Sequence, residues 1–134
     1  MLRTVVNPTF KVGQIWAYKI RPYETGSTLT VVKTETDDNL GNIVHIHIGN
    51  LRMKNPHDKL GLSSVISHLP CSEESISESV THIVQEGVAL PAFEEGYQEW
   101  RAAFDVGQAG VWGIPVAKMI DAMESVLNQP QGDA

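Results

Sequence analysis

The sequence predicts an α+β fold, a single domain over 1–134. In it, an N-terminal antiparallel β-meander of roughly three to five strands is packed on one face by about three C-terminal amphipathic helices. The length of 134 residues fits one domain. Apolar and polar residues alternate before residue 50, and turn-forming residues separate the alternating runs. After Ser72 the apolar residues recur at helical spacing instead.

Alternation of apolar and polar residues predicts the strands. The alternating runs are 14–21, 28–36 and 43–48, with 51–53 as a candidate fourth strand. They are rich in aromatic and β-branched residues, which favour strands, and the segments between them are rich in turn-forming residues. Short connections between successive strands favour antiparallel hairpins. The segment 54–70 is predicted as a loop, and a loop of this length is often functional or contains a short element.

The helical spacing predicts three helices. The first begins at Ser72 as N-cap and stops at Gly87, the second covers about 92–104, and the third begins near Pro115 and is followed by a frayed tail over 129–134. Their apolar stripes are Ile76, Val80, Ile83 and Val84; Phe93, Tyr97, Trp100 and Phe104; and Val116, Met119, Ile120, Met123, Val126 and Leu127. The predicted core is Trp16, Tyr18, Ile20, Val44, Ile46, Ile48, Ile76, Val80, Val84, Tyr97, Trp100, Phe104, Ile120 and Met123.

The net charge of −6 is unevenly distributed along the chain. Residues 1–70 contain eight Lys and Arg against five Asp and Glu, a net charge of +3. Residues 71–134 contain two against eleven, a net charge of −9. Two explanations are open: the basic sheet and the acidic helices attract each other within the fold, or the helical half offers an acidic face to a basic partner.

Cysteine content and the distribution of apolar residues indicate a cytoplasmic protein. Cys71 is the only cysteine in the sequence, so no internal disulfide can form. The apolar part of the N-terminal segment is too short for a signal peptide, and no apolar run approaches the roughly 20 residues of a membrane span. The glycine-rich segment 107–113 lacks the Gly-Lys-Ser/Thr ending of a phosphate loop. We therefore expect no membrane association and no cofactor.

His45 and His47 form the sharpest candidate site. Residues two apart on a strand point the same way, so both imidazoles could meet one metal ion or one phosphate. Further candidate ligands are His57, Asp58, His68 and Cys71. Because the opposite parity of this strand is apolar and should face the helices, we expect both imidazoles to be at least partly exposed. The alternative is that both histidines only occupy the wetter face of a half-exposed sheet.

Lys19 and Arg21 share a parity on the first predicted strand. Aligned with His45 and His47, they would form a basic face for a phosphate or a nucleic-acid backbone. The net charge of −6 opposes the approach of a polyanion, so nucleic acid is not the expected partner.

Glu94, Glu95 and Glu99 lie off the aromatic stripe of the second predicted helix. Glu95 and Glu99 are like-charged i,i+4 neighbours, which mildly destabilises a helix. Such a run is usually a solvated face. The functional interpretation is an acidic patch that binds a basic protein partner.

The stretch Val12-Gly13-Gln14-Ile15-Trp16-Ala17-Tyr18, with Arg21-Pro22 and Val31-Val32, resembles the opening of small SH3-like barrels. Toxin endoribonucleases of the MazF and PemK kind begin in a similar way. The similarity covers a small part of the chain, and the predicted helical half is much larger than those toxins carry. It therefore does not imply membership of that family.

Two classes of function follow from these patterns. The first is a small non-enzymatic binding protein, such as an immunity or adaptor protein, that uses its acidic helical surface against a basic protein partner. The second is a small metal-dependent enzyme or a phosphate- or nucleic-acid-binding protein that uses the His45 and His47 face of the sheet. The sequence identifies no catalytic residue and leaves self-association open.

Overall fold

A computed structural model of the chain describes residues 2–5 and 8–130. Its strands are β1 (Arg3–Thr4), β2 (Ile15–Tyr18), β3 (Thr28–Asp37), β4 (Gly41–Gly49), β5 (Met53–Lys54), β6 (Leu62–Ser63), β7 (Ile66–Ser72) and β8 (Val80–Gln85). Its helices are α1 (Glu73–Ser79), α2 (Glu94–Asp105) and α3 (Val116–Leu127). The α+β class, with an antiparallel sheet and C-terminal helices, is confirmed. Of the predicted tail, 131–134 lies outside the described residues.

Within the described residues, one sheet has the strand order β7-β4-β3-β2-β8, and β1 pairs with β3 as its sixth strand. All of its pairings are antiparallel. The long hairpin of β3 and β4 is central, and its register runs from Thr28 opposite Gly49 to Asp37 opposite Gly41. β5 and β6 form a separate small hairpin. No described helix is both long and apolar enough to cross a membrane.

The main core lies between one face of the sheet and the helices α1 and α3. From the sheet it contains Tyr18, Leu29, Val31, Val44, Ile46, Ile48, Leu69 and Cys71, and from the helices Ile76, Val116, Met119 and Ile120. The predicted apolar parity of β4 is therefore confirmed. Burying each of these large aliphatic side chains stabilises the fold by about 1.5–3 kcal/mol.

The first predicted helix is shorter than its apolar spacing indicated. Its N-cap is confirmed, because Ser72 Oγ accepts a hydrogen bond from Ser75 N at 3.2 Å. The helix ends at Ser79, and the next six residues form β8, which pairs with β2. The β-branched residues of this segment suit a strand, and the edge of β2 gives their backbone groups partners. Val84, predicted in the core, is consequently 53% exposed.

The predicted loop over 54–70 contains β6 and most of β7. β7 contains Pro70, and proline cannot donate a hydrogen bond to a neighbouring strand. Here β7 is an edge strand of the sheet, and proline is tolerated in edge strands. Trp112 covers part of its outer edge, donating from N to Pro70 O at 2.9 Å and accepting from Ser72 N at 2.8 Å.

The predicted packing of the helices on one face of the sheet holds for α1 and α3, whereas α2 packs on the opposite face. Its residues Tyr97 and Trp100 contact His45, which points away from the main core. Gly96 permits this close approach, because a Cβ at this position would lie 3.0 Å from His68 Cβ. The His45 face is therefore a second packed layer, formed where we predicted an open surface.

Candidate functional site

A polar cluster with a buried centre lies between α2 and the sheet. It comprises Glu35 of β3, His45 of β4, His68 of β7, and Tyr97 and Arg101 of α2, and we call it the histidine network. His45 Nε2 lies 2.9 Å from Glu35 Oε1, and His45 Nδ1 lies 2.8 Å from His68 Nε2. Tyr97 donates from its hydroxyl to Glu35 Oε2 at 2.9 Å, and Arg101 Nη1 donates to that hydroxyl at 3.1 Å.

Burial and hydrogen bonding together determine which groups of the network are charged. Burial alone would raise the pKa of Glu35, but hydrogen bonds from His45 and Tyr97 overcome it and hold that pKa below its usual value. Burial lowers the pKa of His45 more than Glu35 raises it. Burial, followed by repulsion from His45, lowers the pKa of His68 to about 4. At neutral pH the network therefore holds an ionised Glu35, two neutral imidazoles and the Arg101 cation.

These charge states order the protons along the network. An ionised carboxylate only accepts, so His45 donates from Nε2 to Glu35 and accepts at Nδ1 from His68. Both nitrogens of His45 are thus occupied, and its side chain is 0% exposed. This residue cannot bind a metal ion or a phosphate without first losing its partners, so the predicted exposure of His45 is wrong. The network fastens α2 to three strands.

The histidine network predicts a pH dependence of stability. The folded pKa of His68 is about 4 against a usual 6.5, so below pH 6.5 the unfolded chain takes up a proton that the folded protein does not. We expect the free energy of unfolding to fall as the pH drops from 6.5 to about 4. In a His68→Gln variant the slope of the free energy of unfolding against pH should be smaller by up to about 1.4 kcal/mol per pH unit, which is the contribution of one proton.

Urea denaturation at a series of pH values measures this slope. Glutamine can still donate to His45 Nδ1, so the variant retains the hydrogen bond while losing the titrating group. Above about pH 7.5 the two stability curves should run parallel, since His68 is then neutral in both states. An unchanged slope between pH 6.5 and about 4 in the variant would contradict the assignment.

His47 is the member of the histidine pair that remains partly exposed, as predicted. It lines an open depression of about 450 Å³ with Thr28, Thr30 and Gln85, and its Nδ1 is enclosed without a hydrogen-bond partner among the described residues.

Of the further candidate ligands, only His68 reaches His45. No group of three or more His, Cys, Asp or Glu side chains in the described ranges is arranged to hold a metal ion.

The other candidate ligands lie elsewhere in the fold. His57 and Asp58 are exposed in the turn between β5 and β6. Cys71 is 0% exposed in the main core, where its Sγ lies 3.7 Å from Met119 Sδ. Burial raises the pKa of the Cys71 thiol. This cysteine is therefore a core residue.

Arg21 does not join the histidines, and its predicted place on their face is wrong. β2 ends at Tyr18, and beyond it the chain turns so that Arg21 is buried against α3. Its guanidinium donates to Glu24 from Nε at 2.9 Å and from Nη2 at 2.8 Å, and from Nη1 to Glu124 at 3.0 Å and to Asp121 at 3.2 Å. Lys19 is exposed near the end of α1, where its N donates to Ser79 O. The predicted anion site is therefore not assembled.

Glu94, Glu95 and Glu99 are exposed and lie together at the start of α2, and we call them the acidic rim. With Ser67, Phe93 and Gly96 they line a depression of about 440 Å³. None of the three carboxylates forms a hydrogen bond or ion pair with a described residue. Asp121 and Glu124 differ, since they bind Arg21. Part of the acidic charge of the second half is thus neutralised within the fold, and the acidic rim is not.

Sequence reasoning missed Glu35 and Arg101 as partners of His45. Glu35 lies two residues from Lys33, which is opposite His45 in the register of β3 and β4. Glu35 is therefore a diagonal neighbour of His45 on the same face of the hairpin, and this position could have predicted their contact. Lys33, in place of the predicted Lys19 and Arg21, is a cation on this face, with its Nζ 5.0 Å from the centroid of the Tyr97 ring. Finding Arg101 required the placement of α2.

No protein-family model, curated protein or solved structure matches this chain.

Proposed function

We propose that this is a small non-enzymatic binding protein, of the immunity or adaptor kind, whose acidic rim receives a basic segment of a partner protein. The observation that carries the proposal is the set of three exposed carboxylates around one depression, none of which is bonded to a residue in the described ranges. A lysine or arginine side chain that enters the depression would meet acceptor oxygens on its rim. Its aliphatic stem would lie against Phe93, a half-buried aromatic residue at the same depression.

Charge supports the same proposal at longer range. The half of the chain that contains the acidic rim has a net charge of −9. Complementary charge of this kind raises the rate of association with a basic partner and makes the affinity depend on salt. The rim also has a local role, because Glu94 and Glu95 lie in the first turn of α2, where carboxylates offset the helix dipole. Glu99 lies beyond that turn and gains less from the dipole.

The enzymatic alternative has less geometric support. It required His45 and His47 to act together on an open face, but α2 covers His45, and Glu35 and His68 occupy its nitrogens. Arg21, its proposed cation, is bound to three carboxylates near α3. The open depression lined by His47 is the remaining support for this alternative.

Neutralising the acidic rim tests the proposal. We expect Glu95→Gln with Glu99→Gln to lose most of the partner captured from cell lysate by the parent protein at low salt. Capture by the parent should itself decrease at high salt. The matched control is Glu74→Gln with Glu78→Gln, an exposed i,i+4 pair on α1 that changes the net charge equally. This control should capture the partner as the parent does.

Two results would argue against the acidic rim. The first is equal loss of capture in both double variants, which would indicate a dependence on net charge alone. The second is salt-independent capture that neither variant reduces. Co-purification of a metal ion or RNA, lost in His47→Ala and retained in the rim variant, would favour the second function class.

A further inference from the structure

The strand β8 leaves one edge of the sheet open. Among the described strands it pairs only with β2, so the backbone groups on its outer side have no strand partner. The opposite end of the sheet differs, because Trp112 bridges to β7 there. Five of the six side chains of β8, from Thr81 to Gln85, are exposed.

This edge lacks the residues that usually prevent strand pairing, and its register against β2 shifts twice, between Gln85 and Ile83 and between His82 and Val80. Exposed edge strands are commonly protected by lysine, by proline or by inward-pointing charges. Val80–Gln85 contains no lysine, arginine, proline, aspartate or glutamate. Two of its exposed residues, Ile83 and Val84, are β-branched and apolar. The edge is therefore suited to accept another strand.

A second copy of the same strand fits the edge. A strand pairs with its own copy about a two-fold axis only in the antiparallel sense, which gives a closed dimer. The molecule has a net charge of −6, so two copies repel each other over most of their surface, but β8 is a neutral segment. Antiparallel pairing also brings Glu86 of one copy to the Ser79 end of the other, close to the exposed Lys19, whose N donates to Ser79 O at 2.8 Å.

We propose that two copies of this chain associate through β8, in antiparallel register, to form one continuous sheet. The pairing satisfies the open backbone groups of both copies and covers Ile83 and Val84. The acidic rim adjoins Ser67 of β7, at the opposite end of the sheet from β8, so the dimer can form with the rim still accessible.

Sedimentation equilibrium of the full chain over a range of concentrations tests the proposal. We expect the parent protein to reach twice the chain mass. In Ile83→Lys, like charges meet near the two-fold axis, and the dissociation constant of the dimer should rise at least about tenfold. The matched control is Val126→Lys, which places the same charge at another exposed apolar residue, on α3. This control should dimerise as the parent does.

Hydrogen exchange of the parent protein provides a measurement that needs no variant. The outward-facing amides of 81–85 should exchange slowly in concentrated solution and faster on dilution. A parent protein that is monomeric throughout, or a dimer that Ile83→Lys leaves intact, would overturn the proposal. Loss of the dimer in Val126→Lys alone would assign the interface to α3 and overturn it also. A monomer that instead binds an extended peptide along β8 would overturn self-association.

Discussion

Replacement of Arg21 by methionine is expected to lower the free energy of unfolding by about 3–5 kcal/mol, as measured by urea denaturation. Methionine is comparable in length but removes the charge and all five donors. Glu24, which is 0% exposed, would lose a two-pronged hydrogen-bonded partner and remain as an uncompensated buried charge. Glu124 and Asp121 would also lose the contact that fastens α3 to the segment after β2.

The ion pair of Arg3 and Asp38 is the control for this prediction. Its geometry is good, with 2.7 Å between Arg3 Nη1 and Asp38 Oδ1, but the two side chains are 52% and 64% exposed. An exposed pair of this kind contributes about 0–1 kcal/mol, so Arg3→Met should have a small effect. Comparable losses in Arg21→Met and Arg3→Met would contradict the assignment of Arg21 as a buried structural cation.

A second variant separates loss of charge balance from loss of packing. Adding Glu24→Gln to Arg21→Met removes the stranded charge, and the glutamine carbonyl can still accept from Arg52 N, as Glu24 Oε2 does at 2.9 Å. We expect the double variant to be more stable than Arg21→Met alone, since an unpaired buried charge costs more than a neutral amide. A further loss of stability in the double variant would indicate that packing dominates.

Replacement of Glu35 by leucine is expected to cost about 3 kcal/mol of the free energy of unfolding. The carboxylate accepts from His45 Nε2 and from the Tyr97 hydroxyl, each at 2.9 Å, and both donors are buried. Leucine fills similar space but accepts from neither. Glu78→Leu, an exposed substitution on α1, is the control and should stay within about 0.5 kcal/mol of the parent.

A double-mutant cycle with His45→Leu tests whether the two residues act together. Each single change leaves the other residue without its hydrogen-bond partner, whereas the double change removes both sides of this contact. The double variant should therefore be more stable than additivity predicts, by about 0.5–3 kcal/mol. Additive effects would mean that the contact of Glu35 with His45 contributes little and that Tyr97 is the important partner.

The His45 face shows where sequence reasoning about the site ended. The alternation of β4 correctly placed His45 away from Ile46 and Ile48, because side-chain direction on a strand is a local property. What covers that face depends on where a distant helix packs. The aromatic stripe of α2 could have packed on either side, and Gly96 allows it to approach His68. The part of this face around His45, predicted to be open, is consequently covered by α2.

The segment from Ile76 to Val84 shows the same limit for secondary structure. Ser72 identified the start of α1, since its cap hydrogen bond lies within one turn. The spacing of Val80, Ile83 and Val84 continued the helical stripe, yet these residues form β8. A helix satisfies its backbone groups locally, whereas a strand needs a partner, and the edge of β2 lies more than sixty residues earlier in the chain.

The features of this protein that depend on neighbouring residues were predictable from the sequence. These are the α+β class, the β3–β4 hairpin, the apolar parity of β4, the start of α1, and the approximate bounds of α2 and α3. Three features depend on tertiary packing: the face that α2 covers, the buried pair of Arg21 and Glu24, and the position of β8 at an open edge of the sheet. Periodicity and capping act within one or two turns, whereas burial and strand pairing depend on residues distant in the chain.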